Sequence, residues 1–126
     1  DRDDNTYNGT RNELLHGSDQ LHDLAYSGLA GEDHDWYRFS QKPYASYEVV
    51  IDTTSSAIGR TLTFDLVASD HTTVLQSSLA VSSLGYSRSL RFYNDTGSAI
   101  DNQYIHVKSG ACTTSCTSND VYRIRF

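Results

Sequence analysis

Apolar residues recur at every second position in short runs along this chain, and no run keeps the three-and-four spacing of an amphipathic helix. Tyr47, Val49 and Ile51 alternate with Ser46, Glu48, Val50 and Asp52, while Leu62, Phe64 and Leu66 alternate with Thr61, Thr63, Asp65 and Val67. Leu90 and Phe92 stand against Arg91 and Tyr93; Ile105 and Val107 mark residues 103–108; Tyr122, Ile124 and Phe126 close the chain. A shorter run covers Val74 to Ser78. Successive strand side chains point to opposite faces, so each run has one face to bury and one to wet. Turn formers such as Ser69-Asp70-His71 and Asn94-Asp95-Thr96-Gly97 separate the runs, and Pro43 interrupts pairing after Gln41. The pattern predicts an all-β, antiparallel β-sandwich of about eight strands.

The most informative stretch is Gly31-Glu32-Asp33-His34-Asp35-Trp36-Tyr37-Arg38-Phe39-Ser40. Alternation puts Asp35, Tyr37 and Phe39 on one face, with Trp36, Arg38 and Ser40 on the other. Tyr37 and Phe39 are residues a sheet buries, which leaves Asp35 at the rim of that face beside Glu32 and Asp33. Crowded carboxylates repel unless a cation or hydrogen-bond donors compensate. Two readings stay open here: a solvated acidic turn, or an oxygen-ligand site for a hard cation such as calcium.

Before this stretch the pattern is weaker. Residues 1–10 are turn formers without a hydrophobic period and form a lead-in segment. Residues 11–17, with Leu14-Leu15, fit a helical turn or a short edge strand equally well, and a first strand is expected around Leu21 to Leu29. No linker or repeat divides the 126 residues, so a single domain, 1–126, is expected.

Nine Tyr and 37% hydrophobic residues indicate a folded chain. A net charge of -6, with the ten cations scattered, argues against a nucleic-acid partner. No run approaches the ~18 apolar residues of a membrane helix, and no partnership with a membrane is expected. The chain starts at Asp1, lacks Met and shows no signal peptide; it is expected to be a monomeric domain of a longer, processed chain. Cys112 and Cys116 flank three residues. They cannot complete a zinc site without further ligands, of which His106 is the near candidate, so a disulfide formed in an oxidising, secreted setting is expected.

Catalytic signatures are missing: there is no Gly-x-Ser-x-Gly, His-Glu-x-x-His or phosphate-cradling Gly loop, and the five His are dispersed. Glu32 and Asp35 are neighbours in one turn, unlike a glycosidase pair set across a cleft. The chain is therefore expected to be non-catalytic. Trp36, Tyr44, Tyr47, Tyr86, Tyr93 and Tyr104 include several that alternation places outward, where rings stack on sugars or on a fibrous protein. Trp36, Tyr47 and Tyr93 are the candidates for binding such a polymer; the alternative is that each Tyr fills a sheet edge with its hydroxyl in water.

Three segments together resemble the bacterial pre-peptidase C-terminal domain, a jelly-roll-like sandwich appended to secreted peptidases and other exported enzymes. They are Tyr7-Asn8-Gly9-Thr10, the stretch Gly31 to Phe39, and the ending Tyr104-Ile105-His106-Val107 with Tyr122-Arg123-Ile124-Arg125-Phe126. The Asp-Trp-Tyr-x-Phe run at Asp35 to Phe39 is the specific one; the others are loose strand patterns. The likeness implies an antiparallel jelly-roll-like β-sandwich serving as an accessory module of a secreted protein. Such a module aids folding or stability, or binds an extracellular polymer, fibrous protein or polysaccharide. A carbohydrate-binding module is the alternative. In the related collagen-binding domains of clostridial collagenases, lead-in and Asp-rich-turn carboxylates jointly hold calcium. The matching positions here are Asp3, Asp4 and Asn8, with Glu32, Asp33 and Asp35. The lead-in departs from the family pattern in having Thr6-Tyr7 where Glu-Pro is usual and Gly9 where Asp is usual.

Overall fold

The computed structural model describes residues 10, 12–23, 34–53, 62–77, 87–109 and 121–126. Its eight strands are β1 (Asp19–Asp23), β2 (His34–Gln41), β3 (Ser46–Thr53), β4 (Leu62–Val67), β5 (Val74–Ser77), β6 (Ser87–Tyr93), β7 (Ile100–Ser109) and β8 (Val121–Arg125). They form two four-stranded sheets, β1-β8-β3-β6 and β2-β7-β4-β5, and all pairing between strands is antiparallel. Among the described strands, only β4 and β5 are consecutive and paired with each other; every other step from one of these strands to the next crosses between sheets. This is the expected all-β sandwich with jelly-roll-like crossing.

The alternation falls where the period of two places it. Tyr37 and Phe39 of β2, Leu62, Phe64 and Leu66 of β4, and Ile105 and Val107 of β7 face Val49, Ile51, Leu90, Phe92, Tyr122 and Ile124 from the other sheet. A buried side chain of this size contributes about 1.5–3 kcal/mol, so these rows are the main stabilising term. The strand expected around Leu21 to Leu29 starts earlier, at Asp19, and is described as far as Asp23; residues 24–29 lie outside the described residues.

The ambiguous segment 11–17 resolves, over its described residues, into an edge contact. Glu13 makes a parallel bridge with Arg38, Leu14 N–H donates to Arg38 O at 2.9 Å, and Arg38 N–H donates to Asn12 O at 2.9 Å. Thr10 Oγ1 donates to the Trp36 carbonyl one step earlier along β2. The free edge of β2 is thereby paired, which protects it from pairing with another chain. Leu14 is pulled into the core at 2% exposure while Leu15 faces out. Gly17, at φ +87°, then turns the chain towards β1, its N–H donating to Phe126 O at 2.6 Å. A glycine takes that left-handed conformation without the steric cost a Cβ adds.

One expectation about the outward positions fails. Asp65 and Val67 alternate with the core residues of β4, yet both are buried. Their face is covered by side chains of β2 and β7 in the same rows.

Candidate functional site

Asp35 is 1% exposed, deeper than a rim position. Its Oδ2 accepts the hydroxyl proton of Tyr122, which reaches across from β8 in the other sheet. The Tyr37 and Tyr122 hydroxyls are bonded to each other. Since the Tyr122 proton is committed to the carboxylate, Tyr37 is the donor in that second bond. His22 of β1 packs against both rings, edge-on to Tyr37 at 5.0 Å and stacked on Tyr122 at 5.9 Å. Burial, then the neighbouring Tyr37 and Asp35, raise the Tyr122 phenol well above its ordinary pKa of 10.0. A hydrogen bond to a charged group contributes about 1.5–3 kcal/mol, which offsets part of the cost of holding this carboxylate inside.

Of the six candidate calcium ligands only Asp35 can be located; Asp3, Asp4, Asn8, Glu32 and Asp33 lie outside the described residues, as do Cys112 and Cys116. The donor set is carboxylate and amide oxygen, the chemistry calcium takes. Tyr122 orients the Asp35 carboxylate by its hydrogen bond, as a further partner commonly does for a carboxylate that ligates a metal.

The three aromatic candidates do not share a surface. Trp36 lies on the outer face of β2-β7-β4-β5, half-buried, while Tyr93 lies on the outer face of the other sheet at 69% exposure. Tyr47 points inward and is half-buried, stacked on Phe92 and Phe126 at 5.8 and 5.3 Å, its hydroxyl accepting the Lys42 N–H at 2.7 Å. Tyr47 and Tyr93 line one open depression with Ser46, Glu48, Arg91 and Phe92. Tyr44, two residues before the Ser46 that pairs with Tyr93, is 76% exposed and held at φ +52°. A non-glycine residue in the left-handed region costs about 1–2 kcal/mol. Tyr104 is buried, and Tyr86 lies outside the described residues.

Sequence reasoning missed a cluster that pairing creates. Trp36 of β2 lies directly opposite His106 of β7, which lies opposite Asp65 of β4. One step along, Arg38, Tyr104 and Val67 form the next row; one step back, His34, Lys108 and Thr63. The Trp36 and His106 rings stack at 3.8 Å and 11°, and His34 Nδ1 and His106 Nε2 are hydrogen-bonded at 2.9 Å. Lys108 and Asp65 form an ion pair at 3.2 Å, and His71 packs edge-on to Tyr104 at 5.0 Å. This layer buries Asp65 and Val67. Burial first, then the charges of His34 and Lys108, lower the His106 pKa from 6.5 to about 4. The outward placement of His34 and Trp36 is visible in the sequence, but their proximity to His106 depends on which strands pair.

A scan of family models and a search of curated proteins give no match. Among solved structures, the chain is similar to the crystal structure of the pre-peptidase C-terminal domain of collagenase from Bacillus anthracis, with a TM-score of 0.58 and 13% identity. The alignment covers 90% of this chain and 91% of that one. At that identity the likeness speaks for the fold: this chain has the β-sandwich fold of a collagenase pre-peptidase C-terminal domain.

Proposed function

We propose that this chain is a non-catalytic accessory module of a secreted multidomain bacterial protein, stabilised by calcium and binding an extracellular polymer. The whole-chain likeness to a collagenase pre-peptidase C-terminal domain supports the accessory role. Calcium held by Asp35 with Asp3, Asp4, Asn8, Glu32 and Asp33 would tie the lead-in to the sandwich, and the inward, hydrogen-bonded Asp35 supports that reading.

The observation that carries polymer binding is the pair Tyr44 and Tyr93, exposed on adjoining segments, with Tyr44 in a backbone conformation that costs free energy. Strained backbone positions cluster at ligand-contacting sites, and exposed Tyr rings are enriched at interfaces. Tyr93 is the central contact, Tyr44 its neighbour, and Tyr47 supports the floor of the depression. Trp36 takes no part, because it stacks on His106 on the opposite sheet.

Pull-down on insoluble collagen, cellulose, chitin and xylan, with and without chelator, tests this. Retention that Tyr93→Ala weakens about tenfold or more supports the site. Retention on a polysaccharide alone favours a carbohydrate-binding module. No retention on any of the four leaves a folding and stability module and removes the polymer.

A further inference from the structure

We propose that His34 Nδ1 and His106 Nε2 form a binding site for a divalent transition-metal ion of the zinc or copper(II) type. The site lies on the outer face of the β2–β7 pair, whereas Asp35 points to the inner face. Its ligands are borderline nitrogen donors, which prefer such ions to calcium.

The geometry needs little change. The two nitrogens lie 2.9 Å apart, with ring centroids at 5.1 Å. Two imidazoles on a tetrahedral ion at ~2.0–2.1 Å place their nitrogens about 3.3 Å apart. Binding widens that gap by a few tenths of an ångström and turns each ring about its side-chain torsions, so that each nitrogen lone pair points at the ion rather than at the other nitrogen. The sites of attachment are already fixed, because β2 and β7 are paired from His34 through Phe39. His106 is held further by Trp36, stacked flat against it at 3.8 Å. The proton now between the rings must leave the shared position; a neutral imidazole can carry it on its other nitrogen, so both rings bind as neutral donors. Asp65, opposite His106, supplies a negative neighbour for the incoming charge, and its partner Lys108 is free to turn to solvent when the ion arrives. Among the described residues these two are the ligands, which leaves the remaining positions to water.

Trp36 is the chain's only tryptophan, so its fluorescence reports this site. The experiment titrates copper(II) into the 126-residue chain in excess calcium, which competes for any oxygen-ligand site. Saturable quenching with one equivalent, reversed by excess chelator, is expected. His34→Gln, which leaves the Trp36–His106 stack in place, should shift the midpoint at least tenfold, while His16→Gln should not shift it. Equal midpoints for the parent and His34→Gln, or quenching that never saturates, would overturn the site. Zinc gives an independent measure in the nuclear magnetic resonance spectrum. The His34 and His106 ring protons should shift while those of the other three histidines stay; uniform shifts over all five refute the proposal.

Discussion

The two outward faces of the sandwich are built from the same alternation and end up unlike each other. On β1-β8-β3-β6 the outward residues form charge pairs in water: Arg123 with Asp19 at 2.7 Å, Arg125 with Asp52 at 2.6 Å, and Arg91 with Glu48 at 3.5 Å. On β2-β7-β4-β5 the outward rows carry Trp36, stacked on His106 and edge-on to Tyr104, and this layer covers Asp65 and Val67. The difference teaches that a period of two identifies which residues face away from the core, not whether they remain wet. Long aromatic side chains in adjacent rows shield their neighbours; short hydroxyls do not.

The largest effect should come from placing a charge on each face. Val67→Asp buries an unpaired carboxylate under Tyr104 and should cost about 3 kcal/mol or more. Val50→Asp, opposite Arg125 on the wet face, should cost about 1 kcal/mol or less. Urea denaturation of both variants checks the contrast, and equal losses would abolish it.

The inner side of β2 supplies the next test. At a hundredfold excess over its dissociation constant, calcium should stabilise the native chain by about 2.7 kcal/mol. Asp35→Asn should remove most of that gain in thermal melts. A parent melting curve that chelator leaves unchanged would end the calcium proposal.

The dry face also predicts a pH dependence. His106 has a lowered folded pKa, so below 6.5 the unfolded chain binds a proton that the folded chain refuses until about 4. Stability from this residue is therefore present above pH 6.5 and lost as pH falls towards 4, by about 1 kcal/mol after allowing for its half-exposed surroundings. His106→Gln should flatten that part of the curve, measured in chelator. The smallest effect belongs to the wet face: Arg123→Ala should cost about 0.5 kcal/mol, shrinking further in high salt.

Much of the fold was legible because burial leaves a local mark. Asp35, Tyr37 and Phe39 share a face by counting residues, and all three are buried there. The same counting set Leu90 and Phe92 inward and Tyr93 outward. The edge contact of residues 12–14 was not legible, since a two-hydrogen-bond bridge needs no pattern of its own. Tyr47 shows the limit for ligand sites: its alternation with Val49 and Ile51 points it inward, and the depression it shares with Tyr93 exists only once β3 lies beside β6.

What this sequence determines by itself is the inward set of each strand, because side-chain direction in a strand repeats every two residues whatever the partner. Only the tertiary structure decided that Tyr122 reaches Asp35 across 87 positions, and that His34 meets His106 across 72. Those contacts follow from the order of strands within each sheet, which is set by the summed packing of both layers and leaves no periodic trace in the chain.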